Sequence, residues 1–299
     1  MGPMTRKSSI LPKKTNNKAG FAVLIGRSNV GKSTLLNYLV GSKIAITTPK
    51  PQTTRKPVQG ILTTPEGQVV FVDTPGIFKD NKDSLSKLLL KMVKNSLRDI
   101  DVVVYVVDPT RAIGSEEKYA LSLLEKLTVP KILVVNKSDL RNRPYLENML
   151  ALSENFDKTF EISALTGSNI NLLKEAIFEY LPKGESYYPD GQLTNMPNEE
   201  WLSELIREKL FLRLRQEVPY SVHVVIDEVT RRENGVMYIA ARVLTSSDRY
   251  QRMIIGTQGH GVKEIGQSVR RELQTVMGVP IYIDLEVEVD TRWIQRLTD

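Results

Sequence analysis

The sequence predicts two domains: an α/β domain built on a mostly parallel sheet with helices on both faces, then a smaller α+β domain. Apolar runs rich in β-branched residues alternate with helical stretches in the first half of the chain, which is typical of strands buried in a parallel sheet. A stretch rich in Pro, Gly, Asn and Ser follows Leu181 and shows no apolar period, as a linker would. The last strand then alternates apolar with charged residues, which indicates a sheet with one face in water.

The strands of the first domain are predicted from four apolar runs: FAVLI (21–25), VVFVD (69–73), DVVVYVVD (101–108) and KILVVN (131–136). A glycine-rich turn and a helix follow the first run, and helical patterns cover residues 84–97 and 115–127. Ligands of such sheets bind at the carboxyl edge of the strands. The residues predicted to lie at that edge are Gly26, Asp73, Asp108 and Asn136.

In the second domain, a helix over about residues 199–215 precedes two strands, about 221–230 and 236–245, joined across a hairpin turn. Two more helices flank Gly256 to Gly259, and IYIDLEVEV forms the final strand. The expected divisions are a basic N-terminal extension predicted to be disordered (1–18), the α/β domain (19–183), a linker (184–198), the α+β domain (199–291) and a C-terminal tail (292–299).

Composition excludes several classes of protein. The 299 residues include no cysteine, which excludes disulfide frameworks, cysteine nucleophiles and cysteine-based metal sites. The longest apolar runs fall far short of the ~20 residues that span a bilayer. Residues 1–60 carry eleven Lys and Arg and no Asp or Glu, which favours an anionic partner such as phosphate, nucleic acid or a membrane surface. A solvated basic tail is the alternative.

A phosphate-binding loop is predicted between the first strand and the first helix, where GRSNVGKS fits the pattern G-x-x-x-x-G-K-[ST]. Backbone N–H groups of such a loop wrap the β-phosphate, the lysine bridges the β- and γ-phosphates, and the serine binds Mg²⁺. A chance glycine-rich turn is the alternative. The expected phosphate-binding residues are Gly26, Arg27, Ser28, Asn29, Val30, Gly31, Lys32, Ser33 and Thr34.

A second motif, Asp73-Thr74-Pro75-Gly76, directly follows a buried strand. We expect Asp73 to hold Mg²⁺ through water and the Gly76 N–H to contact the γ-phosphate, with Thr74 and Pro75 beside the phosphates. The motif is weak alone, because such clusters also form ordinary turns.

Two further segments predict which base the bound nucleotide carries. Asn136-Lys137-Ser138-Asp139 ends a strand, and a carboxylate there can accept both N1–H and the 2-amino group of guanine, which adenine does not offer. Ser163-Ala164 follows the strand-like TFEI and is expected to present a backbone N–H to guanine O6. The four motifs have the order and spacing of a GTPase domain, so GTP and GDP are the expected ligands. The expected guanine-binding residues are Asn136, Lys137, Asp139, Ser163 and Ala164.

Residues 21–181 resemble the translation-factor side of the P-loop GTPases, and KIAITTPKPQTTRK (43–56) is similar to the first switch of the Era family. The resemblance implies that Thr54 completes Mg²⁺ binding together with Ser33 and Asp73, with Thr53 as the alternative. The expected catalytic residues are Lys32, Thr54, Gly76 and Asn29, the last as a candidate K⁺ ligand.

Hydrolysis is expected to be slow, because Ile77 stands where Ras-like enzymes carry a water-orienting glutamine. Arg55 and Lys56 are nearby candidates to neutralise charge. Asn29 resembles the P-loop residue of potassium-stimulated relatives, which implies a K⁺ ion beside the phosphates in the role of an arginine finger. An Asn29 that only stabilises the loop is the alternative.

In the second domain, IIGTQG lies between two helices and fits the GxxG loop of a KH domain. The element order matches the type II KH arrangement, in which the loop approaches phosphates and about four unpaired bases lie in an adjacent groove. Six basic side chains fall within residues 242–271, Arg242 among them. The expected RNA contacts are Ile255, Gly256, Thr257, Gln258, Gly259, Lys263 and Arg270.

A GTPase domain, a linker and a KH domain form the layout of the Era family, and residues 206–224 are similar to it in sequence. The resemblance implies a GTP-gated, monomeric, cytoplasmic factor that binds near the 3′ end of small-subunit 16S ribosomal RNA in the assembling 30S subunit. It also implies peripheral association with the inner face of the cell membrane in some members. The alternative is an RNA-binding assembly factor whose nucleotide is structural and whose hydrolysis is negligible. A second domain that binds protein is a third interpretation.

Overall fold

The computed structural model describes residues 17–77, 84–215 and 217–297. The extension predicted for residues 1–18 therefore lies outside the described residues up to residue 16, and Lys18 already belongs to the first strand.

The first domain is an α/β sandwich around a six-stranded sheet of order β2-β3-β1-β4-β5-β6. β2 pairs antiparallel with β3, and the other pairs are parallel, which confirms the predicted fold class. Its elements are β1 (Lys18–Ile25), α1 (Lys32–Val40), β2 (Val58–Thr64), β3 (Gly67–Asp73), α2 (Ser84–Ser96), β4 (Val102–Val107), α3 (Ser115–Leu124), β5 (Lys131–Val135), α4 (Leu146–Leu150), β6 (Lys158–Glu161) and α5 (Ile170–Tyr180).

Both faces of this sheet are covered, because alternate side chains of one strand enter two different cores. Leu24 of β1 packs in a cluster with residues of α1 and α5, whereas its neighbour Val23 packs with residues of α2 and α3. The central parts of β1, β3, β4 and β5 are therefore continuous apolar runs, and the periodicity of two is absent from their sequence.

The carboxyl ends of β1, β3, β4 and β5 meet at one edge of the sheet, where the predicted motifs follow each strand. α1 begins directly after the phosphate loop and ends at Gly41, whose left-handed backbone lets its N–H close the last turn on Asn37 O. The loop is therefore held between a buried strand and a short helix.

The second domain has helices on one face of a three-stranded sheet of order β7-β8-β9. β7 and β8 pair antiparallel, and β8 and β9 pair parallel, which confirms the predicted α+β arrangement. The helices bury one sheet face, while Asp284 and Glu286 lie on the exposed face. Its elements are α6 (Asn198–Arg213), β7 (Val222–Arg231), β8 (Met237–Thr245), α7 (Asp248–Ile255), α8 (His260–Met277) and β9 (Ile281–Val289).

The segment between the domains lies along the outer edge of β2. Ile61 N donates to Leu193 O at 2.8 Å, and the Thr194 hydroxyl donates to Gln59 O at 2.6 Å. After β9, Trp293 is buried in a cluster with Leu85 and Leu89 of α2. The predicted linker and tail therefore both make defined contacts with the first domain.

Within the described ranges, no helix is long and apolar enough to cross a bilayer.

Candidate functional site

The phosphate loop folds as the motif requires, around a cavity of about 230 Å³ at the carboxyl edge of the sheet. Gly31 has a φ of 102°, and a Cβ at this position would overlap the amide nitrogen of Asn136. A glycine is therefore needed there for both backbone conformation and space. Asn29 also has a positive φ, of 63°.

Lys32 lies beneath the loop and is almost fully buried. Its Nζ donates to Gly26 O at 3.0 Å and to Arg27 O at 2.9 Å. Burial lowers the pKa of Lys32 to about 8, against an opposing effect of Asp73. A bound triphosphate would supply negative charge at this point and favour the ammonium form.

Three oxygen-bearing side chains converge beside Lys32. Ser33 Oγ donates to Asp73 Oδ2 at 2.5 Å and lies 3.0 Å from Thr54 Oγ1. The Oδ1 atom of Asp73 is buried and has no partner among the described residues, and burial raises the pKa of this carboxyl to about 6 despite Lys32. An unpartnered carboxylate oxygen beside two hydroxyls fits Mg²⁺, which prefers oxygen ligands.

The structure brings Thr54, rather than Thr53, to this oxygen cluster. The Thr53 hydroxyl donates to Lys50 O at 2.7 Å and lies 2.6 Å from the Thr48 hydroxyl, inside its own loop. Of the two residues considered from the sequence, Thr54 is placed to meet a metal.

The second motif packs directly onto the phosphate loop. A Cβ at Gly76 would overlap Ser28, so only glycine fits there. The Thr74 hydroxyl donates to Leu24 O at 2.8 Å, which anchors the motif to β1 instead of turning this side chain to the phosphates. Ile77 is buried in the apolar core on the other side of the sheet, and its N–H donates to Gly26 O at 3.2 Å. Its side chain therefore has no access to an attacking water.

Two polar side chains of the loop are fixed by contacts outside it. Asn29 Nδ2 donates to Pro49 O at 2.6 Å, which leaves its amide oxygen without a hydrogen bond from the described residues. Arg27 forms ion pairs with Glu116 and Glu117 at the start of α3, at 2.5 and 3.2 Å. The amide oxygen of Asn29 is compatible with a bound cation. The Arg27 side chain, in contrast, is held by its ion pairs with α3.

The guanine end is organised around Asn136. Its Nδ2 donates to Val30 O at 2.8 Å, and its Oδ1 accepts from Ala164 N at 2.9 Å. Lys137 pairs with Asp108 at 2.5 Å, and Asp139 Oδ1 accepts from the Ser163 hydroxyl at 2.6 Å. The structure therefore gathers all the predicted guanine-binding residues around one point.

The backbone of the Ser163-Ala164 segment is hydrogen-bonded within the protein. Ser163 N donates to Ser168 O at 3.2 Å, and Ala164 N donates to Asn136 Oδ1 at 2.9 Å. Asn136 thus uses both ends of its amide to join the phosphate loop to this segment. A backbone N–H from the segment to guanine O6 stays a prediction.

The segment 43–56, which we call switch I, is bonded to the second domain along most of its length. Lys50 Nζ donates to the carbonyls of Phe211 and Leu214 at the end of α6. Thr47 N donates to Glu208 Oε1 at 3.0 Å, and Arg207 donates to Thr53 O at 2.5 Å. Switch I therefore lies between the oxygen cluster and the second domain.

Arg55 is fully buried in this contact. Its guanidinium donates to the carbonyls of Val222, Tyr220 and Pro219 at 2.5, 3.0 and 3.3 Å, and its carbon Cζ lies 5.0 Å from the ring centroid of Trp293. The Nζ atom of Lys56 lies 3.8 Å from Oε1 of Glu200 in α6. Both residues considered as aids to hydrolysis thus point into the second domain. The sequence contained no signal for this, because the partners of Arg55 are backbone carbonyls.

The GxxG loop lies at the start of α8. Gly256 and Gly259 have φ values of 73° and 75°, and the side chains of Thr257 and Gln258 are exposed. A groove of about 370 Å³ adjoins the loop between α8 and β9. It is lined by Val262, Lys263, Gly266, Gln267, Arg270, Tyr282, Ile283 and Leu285.

The groove combines an apolar floor with basic residues, and it contains both Lys263 and Arg270 from the predicted set. Arg242, counted among the nearby basic side chains, instead pairs with Asp227 and Glu288 at 2.8 and 2.9 Å. It belongs to the other face of the sheet, because its position in β8 is one residue out of phase with the buried Ala241 and Val243. Arg242 therefore adds nothing to the charge of the groove.

A phosphate loop, an oxygen cluster for Mg²⁺, a guanine-recognition segment and a separate GxxG domain together define a P-loop GTPase joined to a KH domain. Residues 21–137 match the family described as 50S ribosome-binding GTPase, and residues 217–294 match the KH domain. The chain is 40% identical to GTPase Era of Halothermothrix orenii over 93% of its length and 95% of that protein. It is 42% identical to GTPase Era of Carboxydothermus hydrogenoformans over 92% and 94%. The chain belongs to the Era family of GTPases.

Two solved structures have the same fold over nearly the whole chain. Era in complex with MgGDPNP and nucleotides 1506–1542 of 16S ribosomal RNA matches with a TM-score of 0.88 and 33% identity, covering 94% of this chain and 96% of that one. An Aquifex aeolicus Era variant bound to GDP·AlF4⁻ matches with a TM-score of 0.87 and 34% identity, covering 93% and 96%.

Proposed function

We propose that this chain is a GTP-hydrolysing switch that binds ribosomal RNA near the 3′ end of small-subunit 16S RNA and assists assembly of the 30S subunit. The observation that carries the proposal is the position of switch I, which contributes Thr54 to the nucleotide site and Arg55 to the KH domain. The solved complex of an Era protein with 16S ribosomal RNA supports the choice of RNA.

Nucleotide state would reach the RNA groove through switch I. Thr54 would contact the metal when it is bound, while its neighbours Thr53 and Arg55 are hydrogen-bonded to the second domain. A change at Thr54 therefore alters contacts of α6 and of the turn before β7. We expect RNA affinity to differ between the GDP and GDPNP states.

The residues that would hold Mg²⁺ are Ser33, Thr54 and Asp73. When bound, the ion neutralises charge on the β- and γ-phosphates. Lys32 would contribute a second positive charge, and the Gly76 N–H a hydrogen bond, at the γ-phosphate.

The RNA site can be tested with paired charge substitutions. Thr257→Asp with Gln258→Asp should abolish binding of a 16S 3′-end fragment, because added negative charge repels phosphates at the exposed loop tip. Gln274→Asp with Thr275→Asp makes the same changes at exposed positions near the end of α8 and should leave binding intact. Equal RNA affinity of both double variants, measured by filter binding at fixed salt, would contradict an RNA role for the loop and favour the protein-binding interpretation.

The alternative is an RNA-binding factor whose nucleotide is structural and whose hydrolysis is negligible. Single-turnover hydrolysis with and without the RNA fragment distinguishes it from the proposed switch. Acceleration by RNA supports the switch. No acceleration, together with equal RNA affinity in both nucleotide states, supports the alternative.

We also propose a K⁺ ion at Asn29 Oδ1, since the amide nitrogen donates to Pro49 O and the oxygen has no hydrogen bond from the part of the chain that the structure describes. Turnover in KCl should exceed turnover in NaCl at equal ionic strength, and Asn29→Ala should remove the difference. Equal rates of the unchanged protein in both salts would contradict the proposal.

The resemblance to the Era family extends the proposal to a monomeric cytoplasmic protein with peripheral contact at the inner face of the cell membrane. Sedimentation of the purified chain with and without vesicles of anionic lipid tests both points.

A further inference from the structure

Ser28, the third residue of the phosphate loop, carries a hydroxyl that the motif does not use. The motif requires only the backbone at this position. The side chain is 7% exposed, and its Oγ has no hydrogen-bond partner among the described residues. A buried hydroxyl without a partner is unfavourable, so its retention here indicates a partner that arrives with the ligand.

The location of this hydroxyl points to the γ-phosphate. Ser28 abuts Gly76, the residue whose N–H is directed to the γ-phosphate in this class of protein. Ser28 also lines the phosphate cavity together with Lys32, Ser33 and Thr54. Because no hydrogen bond fixes its rotamer, rotation about the Cα–Cβ bond can turn Oγ from Gly76 towards the cavity.

The other side chains near this point make contacts that hold them away from the γ-phosphate position. Ile77 is buried in the apolar core, and Arg55 is bound to carbonyls of the second domain. The Asn29 amide nitrogen is held by Pro49. On the Gly76 side of the cavity, the Ser28 hydroxyl is therefore a neutral donor that makes no hydrogen bond to the described residues.

We propose that Ser28 is a γ-phosphate contact, whose hydroxyl donates a hydrogen bond to a γ-phosphate oxygen of GTP beside the Gly76 N–H. The contact makes Ser28 a determinant of the ratio of GTP affinity to GDP affinity, since GDP has no group at this place. This inference rests on the proposed function, because it requires GTP in the described cavity.

The test compares affinities for GDP and GDPNP by isothermal titration calorimetry in MgCl₂. Ser28→Ala should weaken GDPNP binding about tenfold to a hundredfold, the effect of one hydrogen bond to a charged group, and leave GDP binding within about twofold. Ser122→Ala, which removes a hydroxyl that donates to Tyr119 O in α3, is the matched control and should change neither affinity. Thermal unfolding of nucleotide-free Ser28→Ala should occur at or above the unchanged protein's temperature, because the variant loses only an unpaired hydroxyl.

Ser28→Cys separates hydrogen bonding from packing, since a thiol has a similar shape but is a weak donor. A reduced ratio of GDPNP affinity to GDP affinity in both Ser28→Ala and Ser28→Cys supports the contact. An unchanged GDPNP-to-GDP ratio in Ser28→Ala, or a normal ratio in Ser28→Cys with a reduced one in Ser28→Ala, overturns it. Failure of the unchanged protein to bind either nucleotide would overturn the proposed function itself.

Discussion

Replacing Arg55 by alanine should detach switch I from the KH domain. The substitution removes hydrogen bonds to the buried carbonyls of Val222 and Pro219 and to the partly buried carbonyl of Tyr220, together with the stacking of the guanidinium on Trp293. An unsatisfied buried carbonyl costs about 1–3 kcal/mol. Alanine does not bear the cost of burying a guanidinium charge, which offsets part of this, so we expect a net loss of about 3–5 kcal/mol for the three carbonyls.

The charge of Arg55 is not in question at neutral pH. Burial and the adjacent Arg207 lower its pKa, but the guanidinium starts from so high a value that it stays protonated. Arg55→Ala therefore removes hydrogen bonds that are donated by a charged guanidinium.

Tryptophan fluorescence measures the effect directly. The chain has two tryptophans, and both lie at the domain contact: Trp201 donates to Lys43 O at 3.2 Å, and Trp293 packs beside Arg55. In urea, Arg55→Ala should lower the midpoint of the tryptophan transition, while Arg141→Ala, an exposed arginine, should not. A midpoint equal to that of the unchanged protein would refute the assignment of Arg55 as the main anchor. RNA affinity in Arg55→Ala should also lose its dependence on GDP or GDPNP.

Three further predictions concern buried titratable groups. Asp73→Asn should stabilise the metal-free protein by about 3 kcal/mol at neutral pH, because burial raises the carboxyl pKa to about 6 from 3.8; Mg²⁺ with GTP should then raise the unfolding temperature less than in the unchanged chain. Tyr105→Phe should leave stability unchanged or raise it by up to about 2 kcal/mol in urea unfolding, since the buried Tyr105 hydroxyl has no partner among the described residues. Burial and the nearby Arg55 lower the pKa of His223 to about 4 from 6.5, so the unfolded chain takes up a proton that the folded one does not, and stability should fall by about 2 kcal/mol from pH 7 to pH 5. His223→Gln should remove that part of the pH dependence.

The parts of the fold that the sequence predicted are those determined by residues close together in the chain. β1, β3, β4 and β5 are buried on both faces, so their apolar runs stand out without any alignment. β2 was not predicted, because it lies at the sheet edge and its sequence VQGILTT mixes buried apolar residues with Gln, Gly and Thr, so it contains no long apolar run. The motifs lie together at the carboxyl edge of the sheet, because each ends or directly follows a strand, and the roles of their residues at the nucleotide stay predictions.

The parts that the sequence did not reveal depend on contacts between distant segments. Arg55 was assigned to the nucleotide site by proximity in sequence, whereas the carbonyls that bind it lie more than 160 residues further on. Backbone acceptors have no residue signature, so no pattern pointed to them. Arg242 was counted among the basic side chains around the GxxG loop by position in sequence alone, and strand alternation places it on the opposite face of the sheet.

The chain that joins the two domains also acts as a cover for an otherwise open strand. β2 has β3 on one side only, and the backbone around Leu193 and Thr194 occupies its other side. An uncovered strand edge is a template for pairing between molecules. A GTPase domain cut after residue 183 would lose this cover, so separating the domains is expected to produce self-association at the exposed edge, and the connection between the domains protects solubility.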